Sequence, residues 1–262
     1  MIYLSLLDFL KIVLTLVLLV YASWCDWCVR EVSDKVWIIF IGLGLPLTLL
    51  QIFLEKCLWL LYLLALSFTV MFGLSLLLSY LDLFGGADLK ALVCLSLVFP
   101  WLPKSITHPL KVFPIPSFSF LINSLILCVV TIIPLILIKN LVWKLKNKKS
   151  LFEGFEDEPL PKKIVMVALV GFKVKKEKLI KTPHYSLAEE TRKINGKLKR
   201  NLKISSALTI SELLENVGVE ELPEEVWVTP RIPMIIFILG GFVLTILVGD
   251  LLYMVLAKFV WW

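Results

Sequence analysis

The chain has 262 residues, 59% of them hydrophobic and only 18% charged, with a mean hydropathy of +0.89. Ordinary soluble domains are about 45–50% apolar and about a quarter charged, so this balance excludes a soluble globular protein and implies a polytopic membrane protein. The formal net charge of +6 is concentrated: residues 139–231 carry 19 Lys and Arg against 13 Asp and Glu, and the rest of the chain carries 8 of each.

A helix that crosses the hydrocarbon needs roughly 20 apolar residues. Six runs approach that length, at residues 4–24, 35–54, 57–80, 88–102, 117–139 and 232–257, the fourth being the shortest. The first ends at Tyr21-Ala22-Ser23 in the manner of a secretory signal, but no basic segment precedes it and Asp8 and Lys11 interrupt its first half, which suits a retained helix. Cys25 and Cys28 then form a C-x-x-C around Asp26. With no second pair, and only His108 and His184 in the chain, they read as incidental thiols in a reducing compartment, and no metal or cofactor is expected. Cys57, Cys94 and Cys128 lie in or beside apolar runs, as small hydrophobes do.

The connector after the third run carries Asp82 and then Gly85-Gly86-Ala87-Asp88. The fifth run leads into Lys144-Leu145-Lys146-Asn147-Lys148-Lys149, whose juxtamembrane position points to anionic headgroups rather than nucleic acid. Residues 140–231 have the pattern of a small α+β domain. Strands are expected at 164–170, a continuous apolar run, at 172–175, which alternates, and at Val226-Trp227-Val228 before Pro230 and Pro233. Thr209 to Glu212 matches a capping box that would open a helix ended by Gly218. The expected organisation is a membrane domain at 1–139, the α+β domain at 140–231 and a last helix at 232–262, in which Asp250 reads as a polar-network residue. In short, the fold class is membrane all-α, six transmembrane helices with a small cytoplasmic α+β domain inserted before the last. The basic excess of the insert favours the cytoplasm, and counting back through six spans puts Asp26 and Asp88 on that same side.

Carboxylates at a membrane edge are costly and usually functional. Two of them brought together by helix packing share a proton, so that one activates water while the other polarises a peptide carbonyl, the chemistry of an aspartic protease. Asp26 and Asp88 are the candidate pair, and the side-chain-free Gly85 and Gly86 would let the backbone turn tightly and a substrate chain approach. Asp82 and Asp34 are rivals, although Asp34 also suits a cap on the second helix. Composition and spacing leave other readings open: two interface-anchored carboxylates without a partner, a proton- or ion-coupled transporter, or a thiol-redox enzyme using Cys25 and Cys28.

Gly85-Gly86-Ala87-Asp88-Leu89-Lys90 resembles the GxGD motif of membrane aspartyl proteases. Asp26-Trp27-Cys28-Val29-Arg30-Glu31-Val32-Ser33-Asp34 is similar to the D-x-x-x-R-x-(V/I)-P-(D/N) connector of prepilin peptidases, and Val226 to Pro233 is similar to the lead-in to the last helix of archaeal preflagellin peptidases. Over nearly its whole length the chain resembles the archaeal preflagellin/prepilin peptidase family. Ala87 stands in place of the second motif glycine, Cys28 in place of a usual lysine and Ser33 in place of a usual proline. The paired C-x-x-C module of many bacterial relatives is missing, so the resemblance carries no N-methyltransferase activity. It implies a multi-pass cell-membrane aspartic endopeptidase that removes the short basic class III signal peptide from archaellin or type IV pilin-like precursors at the cytoplasmic face. Asp26 and Asp88 would be catalytic, with Gly85, Gly86, Ala87, Lys90, Arg30, Glu31 and Asp34 as motif or substrate-binding residues. Glu31 and Asp34 could pair with the basic residue of the precursor, with Arg30 or Lys35, or serve as caps.

Overall fold

A computed structural model describes residues 2–81, 83–103, 110–148, 150–181, 185–194, 197–202 and 223–260. The chain divides into two compact units, Met1–Cys128 with Pro233–Trp262, and Val129–Ile232.

The first unit is helical: α1 (Ile2–Val29), α2 (Asp34–Glu55), α3 (Leu58–Tyr80), α4 (Gly86–Val98), the first part of α5 (Pro116–Asn147), α8 (Met234–Leu247) and α9 (Leu251–Val260). α1, α2, α3 and α5 are long and apolar enough to cross a membrane. Six spans of that length were expected, and two of the six come out short. α4 has 13 residues because Phe99 precedes Pro100, whose ring disfavours helical backbone before it. The last span breaks after 14 residues at Gly249, which takes a left-handed φ of +105°, and resumes as α9.

α4 sits inside this unit, with Leu89, Ala91, Leu92, Cys94, Leu95 and Val98 all buried. A helix that ends in an apolar surrounding must still satisfy its last carbonyls. Ser67 Oγ of α3 donates to Ser96 O (3.1 Å) and Thr48 Oγ1 of α2 donates to Val98 O (3.0 Å). Gly44 of α2 lies against the Val98 side chain, where a Cβ would collide, so the small residue sets the approach of α2 to α4. The break before α9 is also wired: Asp250, fully buried, accepts from Ser119 Oγ (2.6 Å) and from the Leu252 N–H (2.8 Å), and Asn123 donates to Thr245 Oγ1 (2.8 Å) and Gly249 O (2.9 Å). Asp250 thus caps α9 and ties it to α5, the polar-network role expected for it.

Among the described residues the second unit holds the rest of α5, α6 (Leu160–Val165), α7 (Lys176–Lys181) and the strands β1 (Phe172–Lys175), β2 (Tyr185–Leu187), β3 (Glu189–Ile194), β4 (Lys197–Leu202) and β5 (Glu225–Pro230). β5 is the middle of an antiparallel β1-β5-β2 sheet, and β3 pairs with β4. The alternating 172–175 and the Val226-Trp227-Val228 run are strands as expected. Residues 164–170 are not: they complete α6 and continue as a π-helical turn, Met166–Val170. A short unbroken apolar run has no period to separate strand from buried helix, and Pro161 in the first turn starts a helix here. Asn140 Nδ2 closes the turn by donating to Val167 O (3.0 Å) and Gly171 O (2.8 Å). Trp227 is fully buried under the stacked ring of Phe152 at 5.3 Å. The capping box at 209–212 and its helix lie outside the described residues.

Candidate active site

Asp26 falls in the last turn of α1 and Asp88 in the first turn of α4, and packing brings them within electrostatic range of each other. Each carboxylate lies by a helix N-terminus, where backbone N–H groups lack intrahelical partners and carry a positive partial charge. Asp88 is only 9% exposed and accepts from the Gly85 N–H at 3.1 Å, while the Asp88 and Leu89 amides return to Gly85 O. Asp26, half-buried, lies close enough to the backbone N–H of Ile235, the second residue of α8, for that amide to act on its carboxylate. The pair therefore lies where the end of α1 meets the beginnings of α4 and α8.

Arg30 lies one turn beyond Asp26, closes α1 with a left-handed φ of 63°, and its guanidinium acts electrostatically on both acids. It is a fixed cation beside two carboxylates, which favours charge on the pair. Gly85 and Gly86 are exposed, and neither takes a left-handed φ; Gly85 is extended (φ −70°, ψ 154°) and Gly86 is the first helical residue. The tight-turn reason for these glycines therefore fails. What Gly86 does have is open space: among the described residues, no atom outside its chain neighbours and its own helix backbone lies within 4 Å of where a Cβ would stand. Ala87 is half-buried and packs on the core of this unit.

Asp34 and Lys90 form an exposed ion pair that joins the start of α2 to α4. This partner was not among those expected for Asp34, and the cap of α2 is instead Ser33, whose hydroxyl accepts from the Lys35 N–H at 3.4 Å. Glu31 is exposed on the connector. Asp82, His108 and His184 lie outside the described residues. Cys25 is half-buried and hydrogen-bonded with Tyr21, and Cys28 is exposed. Among the described residues no group of three or more His, Cys, Asp or Glu is placed to hold a metal ion.

The contribution of α8 escaped the sequence reading because a backbone N–H has no residue signature. Pro230 and Pro233 ahead of an apolar run were the available sign that a helix with free amides begins there.

Residues 13–134, which include both aspartates, match the type IV leader peptidase family, and residues 162–251 match the family described as archaeal peptidase A24 C-terminus type II. No curated protein matches the chain.

Proposed function

The chain belongs to the type IV leader peptidase family, a family of aspartic-type peptidases, and on that premise we propose that Asp26 and Asp88 are its catalytic pair. The observation that carries the reading is the convergence of two carboxylates, each beside a different helix N-terminus, next to one open glycine position. Such a pair holds one proton between its two members. The ionised carboxylate takes a proton from water as the water oxygen attacks the scissile carbonyl carbon, and the protonated one donates to the carbonyl oxygen. Collapse of the tetrahedral intermediate breaks the C–N bond; the departing amine takes a proton from the acid that had acted as base, and a hydroxyl of the intermediate returns its proton to the other acid as the carboxyl product forms, which restores the one-proton pair. The amides of α4 and α8 and the Arg30 guanidinium hold the acids in place through this exchange and need not reorganise.

The substrate is a precursor with a short basic leader followed by an apolar helix, an archaellin or pilin-like protein, cut at the cytoplasmic border of that helix. Support for the cytoplasmic side comes from the +6 carried by residues 139–231. The test is to incubate the purified protein in detergent with such a precursor and look for the shortened product. Asp26→Asn and Asp88→Asn are each expected to lower cleavage by about 10²–10⁴-fold while the protein still inserts and folds. Substantial cleavage by either variant removes that residue from the pair. Chelators are expected to leave cleavage unchanged, since the reaction as written uses only the two acids and water.

A further inference from the structure

At the other end of α1 from Asp26 lies a second polar cluster, which the proposed reaction does not use. Lys11 Nζ donates to Gln51 Oε1 at 2.8 Å, and Gln51 Nε2 donates to Asp8 Oδ1 at 3.1 Å. All three residues are at most 2% exposed, inside helices long and apolar enough to cross a membrane. The ammonium also faces two aromatic rings, Phe99 and Trp101, each with its centroid 5.3 Å away. Charges buried at this depth are costly and are kept where they do something that an apolar residue cannot.

What the cluster joins is specific. Lys11 and Asp8 belong to α1, Gln51 to α2, and Phe99 and Trp101 to the exit of α4. α1 packs chiefly on α2 and α8 and only lightly on α4, so little else fixes its position along α4 directly. Yet α1 carries Asp26 and α4 carries Asp88. At 1.5 Å per residue Asp26 stands about 22 Å along α1 from Lys11, and Asp88 stands about 16 Å along α4 from Phe99. A slide or tilt of α1 at Lys11 is therefore passed along two rigid helices to the acids, and a shift of about 1 Å between reacting groups costs up to about 10²-fold in rate. A methylene stem with a cation at its tip tolerates little slippage between a hydrogen-bond acceptor and two ring faces, whereas apolar contacts between smooth helices slide with small loss.

Resting on the assignment of Asp26 and Asp88 as the reacting pair, we propose that Lys11 is a positioning residue, which through Gln51, Phe99 and Trp101 sets α1 against α4 so that the two acids face each other. It touches no substrate. The charge-neutral variant Asp8→Asn/Lys11→Met removes the cation together with the Asp8 carboxylate, leaving half-buried Glu55 as the one other acid that acted on Lys11 among the described residues, and replacement of a buried ion pair by uncharged side chains is often neutral or stabilising for folding. The expected result is a melting temperature at or above that of the parent, with kcat lowered about 10–10²-fold and KM little changed. Lys11→Arg, which keeps a cation over the rings, is expected to recover part of the loss.

The second measurement is independent of turnover. Full-length protein with the five native cysteines replaced by serine, carrying Asp26→Cys and Asp88→Cys with nitroxide labels, reports the separation of the two positions in bilayers by dipolar broadening. Adding the Asp8→Asn/Lys11→Met change is expected to widen and displace that separation. An unchanged separation overturns the proposal whatever the activity does. A changed separation with unchanged kcat in the parent background overturns the Asp26–Asp88 assignment instead. If the double variant does not fold, Gln51→Leu, which removes the acceptor of Lys11 without altering charge, is put through the same two measurements with the same outcomes.

Discussion

The membrane unit and the inserted unit both bury a carboxylate, and they hold it in opposite ways. In the inserted unit Glu189, only 1% exposed, accepts two hydrogen bonds from Arg200 at 2.9 and 2.8 Å and a third from the Trp227 N–H at 3.2 Å. Burial pushes its carboxyl above the ordinary value and the guanidinium pulls it back. In the membrane unit Asp88 receives one backbone N–H, from Gly85, and its nearest acid is another carboxylate. An acid whose two oxygens share one guanidinium nitrogen and that takes a third donor has no room to trade protons with water. An acid that faces another acid, with a helix terminus behind it, keeps a proton that can move. Burial alone therefore does not decide whether a carboxylate can move a proton; the kind of partner does.

The sharpest way to break this comparison is to neutralise both acids in turn. Asp88→Asn is expected to abolish precursor cleavage, and Glu189→Gln to leave cleavage per folded molecule near that of the parent; equal losses would erase the distinction. Next in size is the removal of the cation. Arg200→Met strands Glu189 in the core of the inserted unit and is expected to cost about 3–5 kcal/mol of its stability near neutral pH, measured by chemical denaturation. The sign with pH follows from the raised pKa. Without Arg200 the folded-state value rises further, so the loss is full at high pH and shrinks as pH falls through that value and Glu189 takes up a proton.

Gly86 comes third. Because open space surrounds it and its backbone is ordinary, Gly86→Ala and Gly86→Val are expected to fold with melting temperatures close to the parent. If the space serves the incoming precursor, specific activity falls modestly for Ala and steeply for Val. Normal turnover by a folded Gly86→Val variant would remove the clearance argument. The smallest effect belongs to Lys90→Met. It breaks an exposed ion pair to Asp34, whose contribution to stability is about 0–1 kcal/mol, and a larger loss of cleavage would show that the pair does more than join α2 to α4.

Much of this architecture is written in the chain where one physical requirement dominates. Hydrocarbon demands long apolar runs, so α1, α2, α3 and α5 could be read directly, and the membrane-edge acids stood out because charge there is expensive. Alternation at 172–175 gave β1, although its burial does not alternate: Phe172 and Lys173 are both buried, and only Lys175 is exposed. The reading failed where two requirements compete or where the partner is distant. Residues 164–170 are apolar throughout, so periodicity could not choose between strand and helix, and Pro161 decided. Gly249 looked like one more small residue in a long run, but its left-handed backbone lets Asp250 cap a new helix. Asp8 and Lys11 were visible as oddities in the first run, while Gln51, 40 residues from Lys11, and the rings of Phe99 and Trp101 come to them only through packing.

The spacing of the two polar layers has a consequence for the lipid around the protein. Along α1 the acids and the Lys11 cluster are separated by about 22 Å of apolar helix, against about 30 Å for the hydrocarbon of an ordinary bilayer. The Lys11 cluster, closed off inside the protein, therefore lies within the hydrocarbon depth, and what meets the lipid there is the exposed apolar face of Leu6, Phe9 and Leu10. Water has to reach Asp26 and Asp88, and every ångström of excess acyl thickness at that face stands in its way. Such mismatch is relieved by local thinning at a cost that grows with chain length. Vesicles of shorter-chain lipids should accordingly support faster turnover than those of longer-chain lipids at equal enzyme content, making bilayer thickness a setting of the rate.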